Sequence, residues 1–175
     1  QSILPAQFRL VAATNPCPCG YYGDEHKACR CTPTKVANYL QRLSGPLLDR
    51  IDLQVAVQRP SPEVLLMPKQ GLDTQTAKRW VAQAQARQLA RSGLLNGDLP
   101  WAELEACTKL KSVDDKLLKN AISRLHLSPR GIHKVLRVAR TIADLDHTHT
   151  IHKDHLLEAL SYRRLDVLSM EVEQA

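Results

Sequence analysis

The residues in this chain whose types and spacing could do chemistry lie in three places. In Leu43-Ser44-Gly45-Pro46-Leu47-Leu48-Asp49-Arg50-Ile51-Asp52-Leu53, an arginine stands at the tip of a helical segment that leads into a strand-like run. Asn15 comes 35 residues earlier and closes the apolar run Phe8-Arg9-Leu10-Val11-Ala12-Ala13. A strand-ending amide and a fixed guanidinium in this order are groups with which a nucleotide's γ-phosphate can be read. Each also has a plainer reading: Arg50 can pair with Asp49 or Asp52, and Asn15 can cap a turn. Arg130 is the third group. It follows Ser128-Pro129 at the start of a helix, where its charge opposes the helix dipole unless an anion sits beside it and meets the free backbone N–H groups.

Cys17-Pro18-Cys19-Gly20 and Cys29-Arg30-Cys31 place four thiols within 15 residues, on a loop that also holds Gly20, Gly23 and Asp24. Such a set can close a tetrahedral Zn²⁺ site and order a loop too polar to fold on its own core. One residue between the cysteines of each pair makes a tighter chelate than the usual spacing. Reduced thiols without metal, and a disulfide formed on oxidation, are the alternatives. His26 is an alternative ligand. Cys107 lies apart on an apolar helix and is expected in the core. His147, His149, His152 and His155 invite a second metal reading, but helix capping and solvent exposure explain them more simply.

The elements that must position these groups change character near residue 60. Phe8 to Ala13 reads as a buried strand, and Ile51, Leu53, Val55 and Val57 alternate with polar or small residues in the period of a half-buried strand. Thr34 to Leu43 reads as a helix between them. Two strands do not make a stable sheet alone, so these pieces read as the edge of an α/β layer completed by further sequence. Arg59-Pro60-Ser61-Pro62-Glu63 and Pro68-Lys69-Gln70-Gly71 are linker chemistry.

Beyond the linker the pattern is helical. Asp73 can cap a helix carrying Ala77, Trp80, Val81 and Ala84 on one face and ending near Ser92-Gly93. A short helix spans Trp101 to Cys107, another runs from Val113 to Leu125, and a last one runs from about Ile151 to Tyr162 behind Thr150. In the helix that Ser128 opens, Ile132, Val135, Leu136, Ala139, Ile142 and Ala143 share a face. Arg130, Lys134, Arg137 and Thr141 share the opposite one.

The formal charge of +6 is unevenly spread. Residues 69 to 140 carry 14 Lys and Arg against 6 Asp and Glu, and those from 141 onward carry 3 against 7. A basic middle suits nucleic acid or nucleotide phosphates, or is simply a solvated helical surface. No apolar stretch approaches the roughly 18 to 20 residues that span a bilayer, so a cytoplasmic protein without membrane contact is expected. The chain opens Gln1-Ser2-Ile3 without an initiator methionine, as a piece of a larger protein would.

Val11-Ala12-Ala13-Thr14-Asn15-Pro16-Cys17-Pro18-Cys19-Gly20, the stretch Tyr39 to Leu53, and Arg137-Val138-Ala139-Arg140-Thr141-Ile142-Ala143-Asp144-Leu145 occur together and in order. On these blocks the chain resembles the magnesium chelatase-like AAA+ ATPases of the competence protein ComM (YifB) group, over nearly its whole length. Magnesium chelatase I subunits are less similar, because a cysteine-containing insertion follows Asn15-Pro16 here.

The resemblance implies residues 1–60 as the C-terminal part of an AAA+ α/β core with an insertion at 17–31, a linker at 61–72, and an all-α lid at 73–175. It implies Asn15 as the sensor 1 residue, Arg50 as an arginine finger reaching a neighbouring subunit's nucleotide, and Arg130 as sensor 2. ATP and Mg²⁺ in the intact protein, identical subunits in a hexameric ring, and DNA as a partner follow in the same way. Nothing fits Gly-x-x-x-x-Gly-Lys-Ser/Thr, and no apolar strand ends in paired acidic residues, so the chain by itself is expected to be monomeric and inactive. The functional expectation is the sensor, finger and lid part of a DNA branch-migration motor. A zinc-stabilised nucleic-acid binding module and a chelatase-like remodelling chaperone are the alternatives.

Overall fold

The computed structural model describes residues 8–43, 45–61, 64, 66, 71–110, 112–125 and 127–163. Among them the chain is mostly helical, with α1 at Pro33–Leu40, α2 at Gly45–Leu48, α3 at Thr74–Ser92, α4 at Trp101–Cys107, α5 at Ser112–Leu125, α6 at Pro129–Leu145 and α7 at Lys153–Ser161. A single 3₁₀ turn, Asn96–Asp98, joins α3 to α4.

Local chemistry explains most of the boundaries. Thr32 caps α1 and Asp73 caps α3, each accepting a bond from the backbone N–H three residues on. Gly93 ends α3 with φ at 70°, the left-handed conformation that glycine adopts without strain. Ser128 Oγ accepts from Gly131 N at 3.0 Å and Pro129 fills the first turn of α6. For α7 the N-cap is His152 rather than Thr150. His152 N donates to His155 Nδ1 at 3.0 Å, so this histidine pair does the work of a capping box.

The core is built on α6. Val135, Leu136, Ala139, Ile142 and Ala143 pack with Leu118 of α5, Ile151, and Leu156 and Ala159 of α7, and all nine are buried. Each large aliphatic chain removed from water there contributes about 1.5–3 kcal/mol. Helix α3 approaches differently from expectation. Trp80 and Val81 are about half exposed, and the helix buries Ala84 and Gln88 instead. Polar chemistry decides that face. Arg91 of α3 meets Asp144 at 2.6 Å, Arg140 meets the same carboxylate at 3.0 Å, and Asn96 donates to it at 2.9 Å.

The two expected strands do not form a sheet here. Residues 8–13 have no ladder partner among the described residues, and Phe8, Leu10 and Val11 are exposed. In 51–57 the described residues show one isolated bridge, pairing Gln54 with Arg163 in parallel, while Leu53, Val55 and Val57 face solvent. The side-chain alternation is that of strands, but a strand needs neighbours for its backbone groups, and two separated segments supply none. The expected linker at 61–72 lies largely outside the described residues. No helix among the described residues is long and apolar enough to cross a membrane.

Candidate functional site

Arg50 sits just past α2, in a turn closed by Arg50 N donating to Leu47 O at 2.9 Å. Its guanidinium is exposed and, among the described residues, donates only to Pro46 O, at 2.8 Å, while neither Asp49 nor Asp52 pairs with it. Those two carboxylates are engaged from the other side. Asp49 Oδ2 accepts from Ser128 Oγ at 2.9 Å, and Asp49 Oδ1 lies 3.4 Å from Arg163. Lys134 Nζ donates to Asp52 Oδ1 at 2.7 Å and to Arg50 O at 2.6 Å. Arg163 also donates to Ile51 O at 3.0 Å, and Gln54 N to Tyr162 O at 2.8 Å.

The segment 49–54 is thereby clamped onto the start of α6 and the end of α7, with the Arg50 side chain left outside the clamp. Arg130 is two residues beyond Ser128 in the first turn of α6, exposed and, among the described residues, without a hydrogen bond or ion pair. Asp49–Ser128 therefore joins the immediate neighbourhoods of the two arginines. Asn15 is exposed, shares no hydrogen bond or ion pair with either arginine, and lies over the cysteine loop. A Cβ built on Gly20 would come within 4.0 Å of its Cγ.

The expected basic stripe of α6 is largely consumed by packing. Lys134 is in the clamp, Arg137 donates to Leu99 O at 3.0 Å, and Thr141 Oγ1 accepts from Asn96 at 3.0 Å. Trp101 of α4 stacks on His133 of α6 with ring centroids 3.6 Å apart. Only Arg130 of the four residues remains open to a ligand. Sequence reasoning missed Asp49, Lys134 and Arg163 as clamp residues, since no local spacing links positions about 80 to 110 apart. It also missed the buried Arg140–Asp144 pair, for which the i,i+4 spacing was an available signal.

The second constellation is closed around sulfur. The Sγ atoms of Cys17, Cys19, Cys29 and Cys31 all lie within 4.8 Å of one another. Cys17 is fully buried and the other three are partly so. Gly20 and Gly23, both with φ at 81°, turn the loop back, and Gly20 N donates to Cys17 O at 3.0 Å. Asp24 Oδ1 accepts from the N–H groups of His26 and Lys27, and these bonds hold its carboxyl below the usual range.

Thiol chemistry within the cluster is split. The backbone N–H groups of Tyr21 and then Arg30, directed at sulfur, draw Cys19 down to about 6. At Cys29 the N–H of Cys31 acts in the same sense, but burial and the sulfurs of Cys19 and Cys17 outweigh it and push the thiol up to about 12. Burial raises Cys31 as well. The histidines make no comparable cluster among the described residues: His155 is buried as a cap partner, with Nε2 3.2 Å from Asp146, and His147 pairs with Arg87.

Comparison with known proteins covers nearly the whole chain. A family model described as magnesium chelatase, subunit ChlI, matches residues 1–65, and one described as magnesium chelatase, subunit ChlI C-terminal, matches residues 71–163. A protein named YifB from Escherichia coli is 42% identical over 173 residues, covering 97% of this chain and 33% of that protein. The competence protein ComM of Haemophilus influenzae is 42% identical over 170 residues, covering 92% of this chain and 31% of that protein. The chain thus spans about a third of the length of the curated relatives it matches.

Proposed function

The chain belongs to the magnesium chelatase ChlI family of AAA+ type, and on that basis we propose that it supplies the nucleotide-sensing and coupling portion of an ATP-driven ring motor. Asn15 orients the attacking water as sensor 1, Arg50 acts in trans as the arginine finger, and Arg130 reads phosphate from the helical lid as sensor 2. ATP and Mg²⁺ would be held by a phosphate-binding loop and acidic metal ligands, for which this chain has no matching motif. In this reading residues 1–60 belong to the α/β core, 61–72 link, and 73–175 form the lid. The exposed apolar side chains of 8–13 and 51–57 would then be covered by neighbouring strands of that core.

One observation carries the proposal. Among the described residues, Arg50 and Arg130 keep exposed guanidiniums free of carboxylates, although Asp49 and Asp52 flank Arg50 and are bound to other residues. A finger must arrive at its phosphate without a counter-ion of its own and on a fixed support, because preorganised charge is what stabilises the transferring phosphoryl group. Clamping of the backbone at Arg50 O by Lys134 provides such a support.

DNA is the substrate we favour, moved by identical subunits, six in number, during branch migration. Support comes from the relative named as a competence protein. A stand-alone nucleic-acid module is less favoured, since Lys134, Arg137 and Thr141 are tied up internally rather than lining a basic surface. A remodelling chaperone uses the same sensors and differs only in substrate. The deciding experiment is Arg50→Ala in the intact ATPase. ATP binding and ring assembly should persist while hydrolysis falls by about 10³-fold or more, and normal turnover would reduce Arg50 to a structural role.

A further inference from the structure

We propose that Cys17, Cys19, Cys29 and Cys31 bind one Zn²⁺ as thiolates, and that this ion, rather than apolar packing, folds residues 16–31 beneath Asn15.

Geometry is the first argument. The Sγ separations are 3.3 Å for Cys17–Cys19, 3.5 Å for Cys19–Cys29 and 3.7 Å for Cys17–Cys29. A tetrahedron with Zn–S bonds of about 2.3 Å has edges of about 3.8 Å, so these sulfurs already stand near the corners such an ion requires. A disulfide needs about 2.05 Å between sulfurs and uses two thiols at a time, whereas here three sulfurs lie at nearly equal distances and the fourth is within the same 4.8 Å span.

The surroundings are those of a thiolate site. Cys31 N donates to Cys29 Sγ at 3.4 Å. N–H donors aimed at sulfur stabilise charge on it and orient the ligand, the role outer partners play in metal sites. Four negative sulfurs this close would repel one another without a cation among them, and a divalent ion removes that obstacle. Soft thiolates in a closed tetrahedral set select Zn²⁺ over the hard divalent cations.

The loop also lacks another reason to fold. Between residues 16 and 31 the only buried apolar side chain is that of Cys17 itself, while Glu25, His26, Lys27 and Arg30 are exposed. Ordering about fifteen residues costs on the order of 1–2 kcal/mol each in backbone entropy. Two Asp24 bonds and a Lys27–Tyr21 contact at 4.0 Å do not offset that, whereas the apparent affinity of structural Zn²⁺ sites, about 10–16 kcal/mol, is what remains after the ordering cost has been met. Because Cys17 is two residues from Asn15 and a Cβ at Gly20 would come within 4.0 Å of Asn15 Cγ, the metal-folded loop borders that amide. Zinc binding itself does not depend on the phosphate-sensing reading; only the consequence for Asn15 rests on it.

The test is elemental analysis of the protein purified without chelator, paired with amide exchange. One zinc per chain is expected, lost in Cys29→Ser and in Cys31→Ser and retained in Cys107→Ser. Stripping the metal should speed exchange across 17–31 by roughly tenfold or more while α6 is unaffected. Reconstitution with Co²⁺ should give the intense visible absorption of a tetrahedral tetrathiolate, a readout that needs no variant to fold. Less than about half an equivalent of zinc, stoichiometric iron in its place, or two native disulfides would overturn the assignment. Unchanged exchange after zinc removal would overturn the folding role. Arg50→Ala with full activity in a zinc-loaded protein would instead defeat the motor reading and leave this site standing.

Discussion

A carboxylate that is nearly inaccessible and faces two guanidiniums makes its neighbourhood unusually sensitive to one substitution. For Asp144 burial pushes the carboxyl up, yet hydrogen bonds from Arg91 and Asn96, with the charge of Arg140, outweigh it and hold the group below the usual carboxylate range. The stabilisation is therefore fully present above the unfolded value of about 3.9 and is lost as pH falls through the lower folded value. Asp144→Asn keeps the shape and removes the charge, leaving fully buried Arg140 with only the carbonyls of Thr148 and His149 as strong acceptors. A loss of roughly 3–5 kcal/mol in denaturant unfolding near neutral pH is expected, together with a flatter acid limb. A variant as stable as the parent at pH 7 would show that Arg91 and Arg140 find other partners.

Among the elements, α6 has two jobs on opposite faces. Its apolar face organises the core, and its polar face grips segment 49–54, α4 and the 3₁₀ turn. Ser128 shows how economical the junction is: one hydroxyl accepts from Gly131 N as an N-cap and donates to Asp49 across 79 positions of sequence. Lys134 is the other arm, with a partner, Asp52, that is 57% exposed. Such a pair contributes about 0–1 kcal/mol to stability. Lys134→Met should accordingly leave the melting temperature almost unchanged while loosening residues 49–54. The measurable consequence is faster amide exchange at Ile51 to Gln54 and, in the intact motor, weaker ATP hydrolysis with ATP affinity preserved. If exchange there does not change, the clamp rests on Asp49 and Arg163 alone.

For the molecule as a whole, the uneven exposure of apolar side chains is informative. Around α6 they are buried, whereas Phe8, Leu10, Val11, Leu53, Val55 and Val57 are open to water although their alternation is that of strands. Under the proposed function these faces become interior once the rest of the core is present. A chain with no match to the phosphate-cradling loop should neither turn over ATP nor hold it tightly when studied alone. ATP hydrolysis by a pure sample, abolished by Arg130→Ala, would contradict that expectation and relocate the nucleotide site to this chain.

What could be read from the residues alone followed from short-range physics. Helices α3 to α6 were legible because capping residues, prolines, Gly93 and the 3.6-residue apolar period act within a few positions, and the four cysteines announced themselves by spacing. The strands at 8–13 and 51–57 were legible as patterns and not as a sheet, since strand pairing depends on backbone partners that local sequence does not contain. The polar face of α6 was misjudged for the same reason. Whether Lys134, Arg137 and Thr141 meet solvent, nucleic acid or the chain itself depends on where residues 52, 96 and 99 come to rest. Local composition settles which segments are helical and which side chains can carry charge or bind metal. Only the tertiary arrangement decides which charges are neutralised internally and which, like Arg50 and Arg130, are left facing outward, because ion pairing is a property of distance in space and not of separation along the chain.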